Sequence, residues 1–245
     1  MSYPFSKSFE AHTLKNWAGR SKINNVERYL LSKYFEDNQA SVLDAGTGAG
    51  ILPFHLEQER GFKNITAFDI IPQMIEIAKS KAVQKQSNIN FLISDASDLK
   101  GIESNQFGYL CYTQQILSMV PKNRLKPALQ EAHRVGKKDC TLIASFLDWN
   151  SRWYNPILNF NTNAARFIQG KPLQNKYLPE VNFNGKLNWK FYSKEQHPLL
   201  WAKKSEVINL LHNCGFKIKS FYTEEDLTNK KGYAFYFVCT KDNVE

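Results

Sequence analysis

The sequence predicts an α/β fold: a doubly wound, mostly parallel sheet of seven strands that ends in a C-terminal antiparallel hairpin. Three observations carry this reading. A short apolar run, Val42-Leu43, leads into Asp44-Ala45-Gly46-Thr47-Gly48-Ala49-Gly50, an acid followed by glycines at every second position. Two later apolar segments, 65–68 and 89–93, run into Asp69 and Asp95, with the first pair of acids spaced as in one strand–helix–strand unit. Strand and helix signals then alternate as far as Phe146, and a final helix is followed by two more strand segments.

The elements are taken in chain order. Ile23, Val26, Leu30 and Tyr34 fall on one face of a helix over 22–36, the N-terminal helical segment occupying 1–38. Strand 41–45 ends in the glycine turn. There the absent Cβ atoms let a ligand approach the backbone where a helix begins. A dinucleotide fingerprint would need a third glycine at position 51, which is Ile51. An acid at the strand end is also ill placed for a pyrophosphate and well placed for an amino group or sulfonium. Strand 65–69 comes next, then a helix starting at Pro72 with Met74, Ala78 and Ala82 at helical spacing. The third strand runs into Asp95, the fourth spans 108–112, and Leu125, Leu129 and Ala132 mark the next helix. The fifth strand spans 140–146. After an insertion at 149–201, a helix over 204–214 has Ser205 as its expected N-cap and Gly215 as its stop. Strands near 217–223 and 233–240 complete a single domain over 1–245.

Asp44 with alternating glycines, and acids closing the second and third strands, resemble the motifs of the class I S-adenosylmethionine (SAM)-dependent methyltransferases. The likeness spans about 40–147 and 203–240 and implies a Rossmann-like fold with SAM as cofactor. Carried over residue by residue, it assigns Asp44, Gly46, Thr47, Gly48 and Gly50 to the methionine end. It assigns Asp69 and Ile70 to ribose and adenine and Asp95 and Ala96 to the adenine edge; Thr113, at the end of the fourth strand, is expected on the cofactor side by its position. Two departures, Phe107-Gly108 where the family often has Phe-Asp and Lys137-Lys138 where it often has Gly-Gly, lie outside the cofactor turns.

The acceptor side is read from the residues at the end of the fourth strand, Tyr112-Thr113-Gln114-Gln115. Tyr112 and Gln114 are candidate catalytic groups, and His197 is the candidate base. Asp148 is a further polar candidate beside the insertion. The strand does not lead into Asp/Asn-Pro-Pro-Tyr/Phe, which disfavours methylation of adenine or glutamine amino groups. Cys111 lies within a strand and lacks a preceding proline, against a covalent mechanism on pyrimidine C5. The four cysteines and five histidines are scattered, with no C-x-x-C pair and no metal-ligand cluster. The expectation is therefore no bound metal and no disulfide framework.

Residues 149–201 change character and hold four of the five tryptophans, Trp149, Trp153, Trp189 and Trp201. Asn155-Pro156 opens a helix that Gly170-Lys171-Pro172 ends, with Ile157, Phe160, Phe167 and Ile168 along one side. Most of these aromatics are expected to form the insertion's own core, while some roof the site as an aromatic cap over a small-molecule pocket. The net charge of +9 comes wholly from 121–245, with twenty basic and eleven acidic residues against twelve of each in 1–120. An anionic partner would suit that half, but no arginine-rich run or nucleic-acid module is present, so nucleic acid is not the favoured partner. No signal peptide or membrane-length apolar run is visible, so a cytoplasmic protein is expected. The sequence says nothing of oligomeric state. The expected activity is transfer of the SAM methyl group to an O, N or C atom of a small metabolite. RNA or protein methylation, or a non-catalytic SAM-binding module, are the alternatives.

Overall fold

The computed structural model describes residues 14, 18, 19, 22–179 and 198–242. Helix α1 (Asn25–Tyr34) precedes β1 (Val42–Ala45), α2 (Ile51–Arg60), β2 (Ile65–Asp69), α3 (Pro72–Lys85), β3 (Asn90–Ile93) and β4 (Phe107–Tyr112). A short α4 (Ile116–Met119) and α5 (Lys122–Val135) lead to β5 (Gly136–Asp148). The insertion carries α6 (Asn155–Ile168), β6 (Tyr177–Leu178) and β7 (Leu199–Ala202), and the chain closes with α7 (Lys204–His212), β8 (Phe216–Thr223), α8 (Glu224–Thr228) and β9 (Ala234–Lys241).

Strands β3, β2, β1, β4 and β5 lie side by side and parallel. β9 runs antiparallel along β5, and β8 antiparallel along β9. These are the seven expected strands, and the insertion adds two more to give nine among the described residues. Strand order reverses between β1 and its neighbours β2 and β4, so the topological switch point, where open α/β sheets bind ligands, lies at the carboxyl ends of β1 and β4.

Apolar residues alternate between the two faces of the sheet. Leu43, Leu110, Tyr112, Leu142 and Ala144 share one core with Leu125 and Leu129 of α5 and Val207 and Leu211 of α7. Val42, Cys111 and Ile143 share the other with Leu30 and Leu31 of α1, Leu52 and Leu56 of α2 and Ile75 and Ala78 of α3. Helix α1 is tied to the far end of the sheet by the Tyr34 hydroxyl, which donates to Ser220 Oγ at 2.8 Å.

Three local expectations need correction. β5 begins at Gly136 rather than 140, because Phe107 already pairs with Gly136 before a shift in register ahead of Tyr109 and Thr141. The cap of α7 is Lys203, not Ser205: the Lys203 N–H donates to Glu206 Oε2 at 3.1 Å, so the acid three residues into the helix does the capping. Nor do the described aromatics of the insertion form one core. Tyr177 and Trp201 are buried, whereas Trp153, Phe160 and Phe167 are 73–83% exposed along one outward side. Trp189 lies outside the described residues.

The insertion is fixed to the sheet where β5 outruns β4. The last β4 pair is Tyr112 with Ala144, three residues short of Leu147. Leu147 pairs with Ala234 of β9 on one side and Trp201 of β7 on the other, which places β7 on the β4 side, beyond the β4 carboxyl end. Arg152 locks this corner, its guanidinium 3.9 Å from the Trp201 ring centre and 4.8 Å from that of Tyr233.

Candidate functional site

Gly46, Gly48 and Gly50 all have positive φ, but only at Gly48 would an added Cβ meet open space. A side chain at Gly46 would run into Ile116, and one at Gly50 into Phe54 and Phe91. The turn is thus packed from below at two glycines and bare at the middle one, which is where a ligand can reach the backbone. Gly50 then caps the N-terminus of α2.

Asp69, at the end of β2, holds this turn. Its Oδ2 accepts the Gly48 N–H at 2.8 Å and its Oδ1 the Ile71 N–H at 2.9 Å. Burial pushes its pKa up, and those backbone donors pull it partly back. Each carboxylate oxygen keeps a lone pair beyond its backbone bond. Ile70 beside it packs on Ala49, Ile71 and Met74.

Asp95 is more fully engaged. Its Oδ1 accepts both the Ser97 N–H and the Ser97 hydroxyl, and its Oδ2 pairs with Arg124. Ala96 is buried in the core that contains Leu99 and Leu125. Whatever meets this edge meets a carboxylate already neutralised by an arginine, a pairing that no sequence spacing indicates.

At the switch point itself the structure brings together Asp44, Thr47, Thr113 and Gln114, and adds a residue that the sequence reading missed. Glu27, on α1, is 1% exposed. Its Oε2 accepts from the Gln114 side-chain amide at 3.5 Å, while its Oε1 is buried with no hydrogen-bond partner. Asp44 is 3% exposed, and its Oδ2 is likewise unpartnered. Burial lifts the Glu27 pKa to about 7, tempered by Thr113 and Gln114, and the Asp44 pKa to about 8. Thr47 tempers Asp44, while Glu27 and Asp69 raise it further.

Gln114 and Gln115 adopt φ of 54° and 58°, a left-handed pair of non-glycine residues that the surroundings must hold in place. The Ser145 hydroxyl accepts the Gln115 N–H at 2.8 Å and is itself fully buried. Strain of this kind collects at functional sites, and here it aims the Gln114 side chain at Glu27. Gln114 thus lies against Glu27.

The other acceptor-side candidates fare differently. Tyr112 points into the core beneath α5, fully buried with its hydroxyl unpartnered and its pKa raised by burial. It is a packing residue, not an acid–base group. Asp148 caps the 3-10 turn Trp149–Ser151, its Oδ1 accepting the Asn150 N–H at 2.9 Å. His197 lies outside the described residues. Among the described residues no group of three His, Cys, Asp or Glu side chains is arranged to hold a metal ion, and no helix is long and apolar enough to cross a membrane.

Comparison with known proteins agrees with this geometry. Residues 42–139 match the methyltransferase domain family. The release factor glutamine methyltransferase of Staphylococcus aureus is 37% identical over 77 residues, 31% of this chain and only 27% of that relative's length. The ubiquinone biosynthesis O-methyltransferase of Rickettsia bellii is 23% identical over 231 residues, 91% of this chain and 84% of that protein. A SAM-dependent methyltransferase of Methanosarcina mazei shares the fold, with a TM-score of 0.65 at 20% identity over 87% of this chain and 97% of that one. The PH0226 protein of Pyrococcus horikoshii does so with a TM-score of 0.64 at 20% identity over 97% and 92%. SAM is the cofactor of such a domain, and the site suits it. Unpartnered buried carboxylates await a cation, and the bare glycine admits a ligand to the helix N-terminus. Residues 42–139 are therefore similar to a methyltransferase domain, and the fold is one shared with a SAM-dependent methyltransferase.

Proposed function

We propose that this protein transfers the methyl group of SAM to a nucleophilic O, N or C atom of a small molecule. The observation that carries the reading is the pairing of an open glycine turn with unpartnered, buried Asp44 at the switch point. Asp44 takes the ammonium of the methionine end, and the turn at Gly46, Thr47, Gly48 and Gly50 takes its backbone. Asp69 receives the ribose hydroxyls on its remaining lone pairs, with Ile70 against the adenine. Asp95 and Ala96 line the adenine edge, and Thr113 closes the cofactor side of β4.

The bound cofactor supplies a carbon already activated by positive sulfur, so the chain's own task is alignment and exclusion of water. Gln114, held in its left-handed turn, orients groups at the strand end. The β6–β7 pair and α6 stand beyond β4, where a cap over the acceptor would be needed. Two further points support a small acceptor. The relative that aligns over most of the chain is named as an O-methyltransferase of ubiquinone biosynthesis, whereas the likeness to a release factor glutamine methyltransferase covers only a stretch of 77 residues. Thr113-Gln114-Gln115-Ile116 also lacks the prolines that glutamine-amide methylation would lead one to expect.

The test is incubation with methyl-labelled SAM and a fractionated metabolite extract. Label should appear in a small molecule together with stoichiometric S-adenosylhomocysteine. Label only in protein or RNA, or cofactor binding without turnover, would overturn the reading.

A further inference from the structure

The switch point holds more carboxyl groups than ammonium binding requires. Glu27 projects from the first turn of α1, with the Asn24 side chain capping its own N–H at 2.7 Å. The groups facing it are Asp44 from β1, Cys111, Thr113 and Gln114 from the end of β4, and Tyr236 from β9, with Asp69 acting in turn on Asp44. Among the described residues, no cation contributes to the ionisation of Glu27 or Asp44. Two unpartnered carboxylate oxygens, Glu27 Oε1 and Asp44 Oδ2, are sealed from water in one cluster. A buried, unpaired charge is costly unless something arrives to pair with it.

We infer that Glu27 is a second carboxylate for the cofactor, one that reads the positive sulfur and so favours S-adenosylmethionine over S-adenosylhomocysteine. This rests on the proposed cofactor site. The two ligands share the ammonium and carboxylate that Asp44 and the glycine turn address, and they differ in charge only at sulfur. Glu27 contacts Gln114 at the end of β4, the side on which the methyl group must lie for transfer. With a pKa near 7, Glu27 is largely protonated in the empty site at slightly acid pH and must lose its proton to pair with the sulfonium. Once the methyl group has gone, the sulfur is neutral, Glu27 regains its proton affinity, and the product is held less firmly than the cofactor was.

Calorimetric titration of the full chain with each ligand, from pH 6 to 7.5 and in two buffers of different ionisation enthalpy, tests this without any turnover. For the wild type, Asp44 should make both affinities rise with pH, and S-adenosylmethionine should rise by up to about a further tenfold per pH unit and release more protons than S-adenosylhomocysteine does. Glu27→Gln should weaken S-adenosylmethionine by about tenfold, weaken S-adenosylhomocysteine by less than about threefold, and reduce the pH dependence of the former to that of the latter. If both ligands weaken equally, or if Glu27→Gln keeps the wild-type preference and proton release, the inference is wrong. The wild-type pH series decides the matter even if the variant does not fold. A wild type that binds neither ligand would instead overturn the cofactor site itself.

Discussion

Replacing Asp69 by alanine tests the site and the fold together. The wild-type carboxylate is 8% exposed and accepts two backbone N–H groups, from Gly48 at 2.8 Å and Ile71 at 2.9 Å. Hydrogen bonds to a charged group contribute about 1.5–3 kcal/mol each, and their loss leaves two donors facing a void. Because burial has raised the Asp69 pKa, part of that gain is already spent on desolvation. We therefore expect a net loss of about 2–4 kcal/mol rather than the full sum. At about 2–4 °C per kcal/mol for a chain of this size, the apoprotein's unfolding midpoint should fall by roughly 4–16 °C. SAM affinity, measured by calorimetry below that midpoint, should fall by at least about tenfold, since the turn loosens and the ribose loses its acceptor. Asp69→Asn, which keeps the shape and one acceptor oxygen, should lie between the two proteins on both measures. An Asp69→Ala variant whose SAM affinity stays within about twofold of wild type would remove Asp69 from the cofactor site, whatever happens to stability.

Gly48→Val should abolish SAM binding in calorimetry, because its side chain would enter the open space of the turn, and should cost some stability, because a β-branched residue is strained at the φ of +54°; unchanged binding in a variant whose far-ultraviolet circular dichroism shows it folded would displace the ligand from that turn. The apoprotein should lose stability as pH rises from 5 through 8. Glu27 and Asp44 have folded pKa values of about 7 and 8, above their unfolded ones, so the folded state binds the extra protons and each pKa unit corresponds to about 1.4 kcal/mol. Denaturant titrations should show that slope, and saturating SAM should reduce or reverse it; a flat apoprotein profile would contradict the burial argument. Replacing Phe160 and Phe167, both more than 70% exposed on α6, by serine should leave the free energy of unfolding within about 0.5 kcal/mol of wild type and SAM affinity unchanged. If α6 belongs to the acceptor cap, KM for the identified acceptor should rise severalfold, and an unchanged KM would remove that face from the cap.

The cofactor half was legible because its signals are local. A strand end, an acid and a glycine turn occupy consecutive positions, and the acids at 69 and 95 repeat at strand ends. Glu27 was not legible for a physical reason. Three residues after Asn24 it reads as an ordinary capping acid on an amphipathic helix, and only the docking of Leu30 and Leu31 on the sheet carries it into the crevice. Tyr112 was misjudged although strand periodicity contains the answer. Alternation along β4 puts Tyr112 on the face of Leu110 and Cys111 on the other, so being last in a strand did not put Tyr112 in the site. The left-handed pair Gln114-Gln115 is invisible to propensity, since glutamine has no preference for that region and the partner that fixes it, Ser145, lies on another strand. The insertion strands β6 and β7 are too short to register as a pattern and owe their existence to the overhang of β5 past β4.

Charge separates the two ends of the molecule's task. The chain carries +9 overall, which alone would disfavour a cationic cofactor. Yet the excess lies in residues 121–245, where Lys137, Lys138, Lys171, Lys203 and Lys204 are exposed to solvent. Exposed charges act over a screening length of about 8 Å at physiological salt, whereas buried ones are screened far less. Asp44, Asp69 and Glu27 are each below 9% exposed, so once ionised their field dominates at the switch point even though the surface is basic. The same physics limits what the surface can do: its lysines can draw an anionic molecule toward the protein but cannot neutralise the carboxylates inside. The neutralising charge has to come with the ligand, and one that is positive at both its amino group and its sulfur meets the two unpartnered oxygens that the fold leaves for it.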